Sequence, residues 1–145
     1  MDKNKLKLGL NIEKINHIIS RKMDSAVIKA IDDNITVSQA YVIDFIATEG
    51  KNREIFQKDL ENEFDLKRSS VSLMLSNMEK SDLIKRVSVS EDARLKQIIL
   101  TEKSLKIYDK ISLAIDSVEN KLAENLKPEE IKIFLDIIDK MRNNL

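Results

Sequence analysis

Residues 60–101 read LENEFDLKRSSVSLMLSNMEKSDLIKRVSVSEDARLKQIILT, and the rest of the chain takes its meaning from them. The stretch opens on the tail of a short helix and turns through Phe64, Asp65 and Leu66. A second helix follows over about residues 68–80, with serines on its leading turns and Val71, Leu75 and Met78 inward at helical spacing. Two extended segments come next. Val87 and Val89 alternate with Arg86, Ser88 and Ser90, and Ile98 and Leu100 alternate with Gln97 and Ile99, around a polar tip at 88–94. Helix, turn, helix and β-ribbon make the outline of a winged helix-turn-helix, in which the second helix enters a DNA major groove.

Working outward, Thr36 reads as the N-cap of a helix, with Gln39 completing a capping box. Val42, Ile43, Phe45 and Ile46 form that helix's buried side, and Gly50 is expected to supply a left-handed stop. A short helix over about 55–64 turns Phe56 and Leu60 inward. Before this unit, Leu8, Ile12, Ile15, Ile19, Met23, Ala26 and Ala30 align on one face of a helix spanning about 6–31, which Asp32, Asp33 and Asn34 break. After it, Leu105, Tyr108, Ile115, Val118 and Leu122 stripe a helix over about 102–125. Pro128, followed by Glu129 and Glu130, starts a last helix whose apolar side is Ile131, Phe134, Leu135, Ile138 and Met141. The expected fold is therefore mainly α with a small β-wing, a single domain over 1–145. Residues 36–101 form the winged helix-turn-helix, and 6–35 and 102–145 form dimerisation helices. Three apolar-striped helices outside the winged unit are marginal alone, so a second chain is the economical cover. A two-fold dimer also sets two reading helices about one DNA turn, roughly 34 Å, apart.

Composition narrows the chemistry. The 145 residues hold no cysteine, which excludes disulfides and thiol redox sensing, and a single histidine, His17, which disfavours a metal cage or histidine-based catalysis. His17 reads as a solvent-facing or dimer-region side chain. No nucleophile–base pair, metal set, cofactor motif or phosphate loop is visible, so an enzyme is not expected. With two glycines and one proline the chain favours helices. Net charge is zero, but between residues 66 and 96 seven bases (Lys67, Arg68, Lys80, Lys85, Arg86, Arg94, Lys96) outnumber four acids (Glu79, Asp82, Glu91, Asp92). Charges interrupt the apolar residues at the N-terminus, which fits neither a signal peptide nor a membrane span, and the cytoplasm is the expected location.

From Leu60 to Ile84, then through Lys85-Arg86, Asp92-x-Arg94 and Leu100-Thr101, the sequence resembles the multiple-antibiotic-resistance regulator (MarR) family of bacterial transcription factors. The spacing from Asp-x-Arg to Leu-Thr is the most specific part. The resemblance implies a homodimer, an operator at least partly palindromic, and often a small-molecule effector that loosens DNA binding. Departures are visible: Asp65 and Asp82 stand where the family favours glycine in turns, and aspartate tolerates a left-handed backbone better than most residues. Lys67 stands where an N-cap serine is common, Leu73 where many members carry an arginine, and Ser104 where a glycine is common.

The candidate DNA-binding residues are Arg68, Ser69, Ser70, Ser72 and Ser76 on the second helix, with Arg86, Asp92, Arg94 and Lys96 on the ribbon. Short hydroxyls let a helix approach the groove and bond phosphates or base edges, and Arg68 can neutralise a phosphate. The same serines also suit an ordinary solvated helix face. Arg94 at the wing tip is placed for an adjacent minor groove, with Asp92 orienting its guanidinium, or else forms a surface ion pair worth roughly 0–1 kcal/mol. Arg86 and Lys96 suit phosphate contacts or plain solubilising charge. Two functions remain open at this level: a sequence-specific DNA-binding regulator, and a winged-helix module that binds another protein. Zero net charge and Leu73 keep the second in play.

Overall fold

A computed structural model describes residues 7–32, 34–89 and 91–145. Six helices and one hairpin follow in order: α1 (Leu8–Ala30), α2 (Val37–Glu49), α3 (Gln57–Phe64), α4 (Arg68–Lys80), β1 (Ile84–Ser88), β2 (Lys96–Leu100), α5 (Glu102–Ala123) and α6 (Pro128–Asn143). The expected start of the first helix at Leu6, the breaker Asp33 and the ribbon residue Ser90 lie outside the described residues.

The helix boundaries follow local chemistry. The Thr36 hydroxyl accepts from the Gln39 amide and the Gln39 side chain accepts from the Thr36 amide, both at 3.1 Å, so two otherwise orphaned donors are satisfied. At α5 the same device is built from Thr101 and Ser104, both buried. Ser104 is thus a capping partner. Pro128 occupies the first position of α6, and the Glu130 carboxylate accepts from the Lys127 amide at 2.8 Å. Gly50 departs from expectation. Its φ of −63° is right-handed, and glycine is needed there because a Cβ would stand 2.3 Å from the Ile46 carbonyl oxygen.

The core is contiguous and sits in the winged unit. Val42, Ile43, Phe45 and Ile46 of α2, Leu60 of α3, and Val71, Leu75 and Met78 of α4 are buried together with Ile84 and Ile98 of the hairpin. Val27 and Ile111 attach α1 and α5 to this core. Phe64 closes it with an edge-to-face contact on Phe45, ring centres 5.9 Å apart. Helix α3 begins two residues later than expected. Phe56 is its half-buried N-cap, and the buried Ile55 lies in extended chain whose carbonyl accepts from the Ile98 amide at 2.8 Å. That bond lays residue 55 along the outer edge of β2.

The hairpin is antiparallel, with Ile84 opposite Leu100 and Arg86 opposite Ile98. Because alternate residues face opposite sides, the inner face of β1 carries Ile84 and Arg86, while Val87 pairs with Gln97 on the other face. In α5 the inward residues are Ser104 and Ile111, flanked by half-buried Ile107, Tyr108 and Ile115; Leu105, expected on the helix's apolar stripe, is exposed within this chain. Helix α6 packs at most marginally on the rest of the chain, and within the described residues none of its side chains is buried.

Candidate nucleic-acid interface

The turn between α3 and α4 depends on a left-handed residue. Asp65 caps α3 with φ 49°, and the Leu66 amide returns to the Glu61 carbonyl at 3.1 Å. Asp82, with φ 58°, does the same after α4, where the Leu83 amide reaches the Met78 carbonyl at 2.9 Å. Both aspartates therefore take the conformation that would favour glycine. The two helices are also tied by Gln57, whose amide donates to the Ser72 hydroxyl at 2.8 Å. Lys67 caps α4 without any side-chain bond.

With Val71, Leu75 and Met78 turned inward, α4 presents Arg68, Ser69, Ser70, Leu73 and Asn77 outward, all exposed. Ser76 is half-buried, and Ser72 is half-buried with its hydroxyl held by Gln57. Asn77 escaped the sequence reading. The signal was there: asparagine two turns after Ser70 on the face opposite the core, and its amide is suited to adenine's major-groove edge.

The wing extends this face. Arg94 is 93% exposed, and both its backbone amide, at 3.0 Å, and its Nε, at 3.1 Å, donate to one Asp92 carboxylate oxygen. These two donors hold the Asp92 carboxyl below the usual carboxylate range. Asp92 thus shapes the tip and steers the Arg94 guanidinium. Lys96 donates to the Ser88 hydroxyl at 3.0 Å across the hairpin. Arg86 differs from the other bases. It lies half-buried on the inner face of β1, with Nε 3.7 Å from the Glu79 carboxylate and no hydrogen-bond partner among the described residues.

These elements enclose an open cleft of about 360 Å³. Lys58 of α3, Arg68 of α4, and Arg86, Arg94 and Lys96 of the wing line it, with Glu61 as the acidic member of the lining. A concave surface with this surplus of positive charge concentrates field lines and attracts polyanions. Among the described residues no group of three or more His, Cys, Asp or Glu side chains is placed to hold a metal ion. No described helix is long and apolar enough to cross a membrane.

Comparison with known proteins agrees with this geometry. The model of the MarR family matches residues 33–95, the winged unit up to the wing tip. The HTH-type transcriptional regulator FarR of Neisseria gonorrhoeae is 28% identical over 108 residues, which is 74% of this chain and 72% of that protein. The crystal structure of the transcription regulator MarR from Oenococcus oeni PSU-1 superposes with a TM-score of 0.72 at 29% identity, covering 94% of this chain and 99% of that one. The S. aureus MepR–DNA complex superposes with a TM-score of 0.79 at 22% identity, covering 98% and 99% of the two chains, a likeness of fold. These matches are regulators rather than enzymes.

Proposed function

We propose that this chain, a winged helix-turn-helix regulator of the MarR family, works as a homodimeric repressor of an at least partly palindromic operator. The observation that carries the reading is the convergence of five basic side chains from α3, α4 and the wing on one cleft beside the exposed hydroxyl face of α4. Helix α4 lies in the major groove with Ser69, Ser70 and Asn77 toward base edges and Arg68 on a phosphate. Arg94 reaches the neighbouring minor groove, where narrow A·T tracts concentrate negative potential. Lys96 meets the phosphates between them, Asp92 acts by holding Arg94, and Ser76 lies at the rim of the contact. Ser72 serves α3–α4 packing through Gln57, and Arg86 braces the wing on α4 through Glu79.

Dimerisation supplies the spacing. Phe134 is 60% and Leu135 55% exposed on a helix that packs at most marginally on the described residues of its own chain, and Leu8, Ile12, Ile15 and Ile18 of α1 are exposed as well. Exposed apolar area on this scale marks an interface. A two-fold pair joined through α1, α5 and α6 buries these faces and presents two α4 helices to one side of a duplex. A small-molecule effector that loosens the grip, and a cytoplasmic location, belong to the same proposal.

Mobility-shift titration of the DNA upstream of the gene tests it. Wild-type protein is expected to shift one duplex as a dimer, Arg68→Ala and Arg94→Ala to shift it at higher protein concentration while remaining folded. Equal affinity of all three proteins would remove these residues from the interface. Protein that shifts neither this duplex nor any genomic fragment would refute the reading.

A further inference from the structure

Leu73 sits in the middle of the outward face of α4 and is 65% exposed. Its neighbours on the helix surface, three and four residues away, are Ser69, Ser70, Ser76 and Asn77, all short and polar. The core is already served by Val71, Leu75 and Met78, and α4 packs on α3 and β1, away from Leu73. A branched apolar side chain therefore projects beyond a collar of hydroxyls and one amide, at the point of closest approach to a groove floor.

We infer that Leu73 reads the C5-methyl group of a thymine in each operator half-site. The inference rests on the DNA-binding reading above and adds a base preference to it. In the major groove, thymine alone among the four bases offers an apolar group; guanine and adenine present acceptors, and adenine and cytosine present amino donors. An isobutyl side chain gains by covering a methyl group, and it strips water from a polar edge without replacing the lost hydrogen bond. Leu73 thus favours thymine and disfavours the other bases at one position. The surrounding Ser69, Ser70 and Asn77 supply the polar contacts to the flanking pairs. An arginine at this position would instead favour guanine, so this chain is expected to select an operator richer in A·T at that step.

The test begins with selection of binding duplexes from a randomised pool by the full-length wild-type chain. Each thymine of the selected site is then replaced singly by deoxyuridine, which removes only the methyl group. One thymine per half-site should prove sensitive, the substitution weakening wild-type binding about fourfold, and about fifteenfold when both half-sites are changed. Leu73→Ala keeps a helix-favouring residue at an exposed site, and its fold is checked by circular dichroism. This variant should bind the thymine and deoxyuridine duplexes equally. If no thymine is sensitive, or if the sensitivity persists in Leu73→Ala, the inference is overturned. A pool from which no duplex is selected refutes DNA binding itself, before any deoxyuridine duplex is made, so the two failures are distinct.

Discussion

Replacing Thr101 by valine isolates the latch at the base of the wing. The Thr101 hydroxyl donates to the Asp82 carbonyl at 2.6 Å and accepts from the Ser104 amide at 3.2 Å, in a position only 6% exposed. Asp82 is the left-handed residue ending the turn from α4 into β1, so one hydroxyl joins the start of α5 to that turn. Valine keeps the branched shape and removes both bonds. Loss of an N-cap side chain costs about 1 kcal/mol. Leaving the Asp82 carbonyl without that partner in a part-buried site adds about 1–2 kcal/mol. The sum, about 2–3 kcal/mol, corresponds to a fall in Tm of roughly 5–10 °C for a chain of this size. Thr36→Val is the matched control. It breaks a capping box of the same form whose bonds are exposed and whose threonine hydroxyl has no second partner of this kind among the described residues, so it should cost about 1 kcal/mol. Urea unfolding of both variants at one fixed protein concentration gives the comparison, since a dimer's midpoint depends on concentration. If Thr101→Val is no more damaging than Thr36→Val, the latch is not a structural tie.

Phe134→Asp places a charge where the partner chain is proposed to pack. It removes about 1.5–3 kcal/mol of burial per site, twice in a two-fold dimer, so sedimentation should show dimer association weakened by roughly two to four orders of magnitude; an unchanged dimer would exclude α6 from the interface. Asp82→Gly should leave stability unchanged or raise it by up to about 1 kcal/mol, whereas Asp82→Val should cost about 1–2 kcal/mol, because a β-branched residue resists the left-handed backbone. Half-burial and the nearby Asp116 raise the Asp44 carboxyl above its ordinary range. The folded state then binds that proton more tightly than the unfolded chain, so stability should fall as pH rises through the raised value. Asp44→Asn should accordingly be more stable than wild type at pH 7, with the gain disappearing in acid below the ordinary aspartate range; a wild type that matches it at both pH values contradicts the assignment.

Much of the fold was legible because its signals are local. The Thr36–Gln39 box, Pro128 and the spacing of Val71, Leu75 and Met78 act within one or two helical turns, and the helices begin and bury where those signals say. The two turn aspartates were legible for the same reason. What was hidden depends on distant chain. The inner face of β1 is set by pairing with residues 96–100, so Arg86 rather than Val87 faces inward. Gly50 is required by the Ile46 carbonyl and not by its own dihedral, which no glycine signal reveals. The hydroxyl of Ser72 is held by Gln57, fifteen residues away, and a serine-rich face alone cannot show which hydroxyl is already bonded. The basic cleft is likewise a product of folding, since Lys58 joins residues that lie at least ten positions further along.

The central claim, paired basic faces on one duplex, is tested most directly by the salt dependence of DNA affinity together with its stoichiometry. Arg68 and Lys96 on phosphates and Arg94 in the minor groove, from each of two chains, bring about six positive charges that displace counterions, so the logarithm of the binding constant should fall against the logarithm of salt concentration with a slope of about −5, at two chains per duplex. Arg94→Ala should flatten that slope by about 2, one contact from each chain. A slope near zero, or one protein chain bound per duplex, would contradict the account.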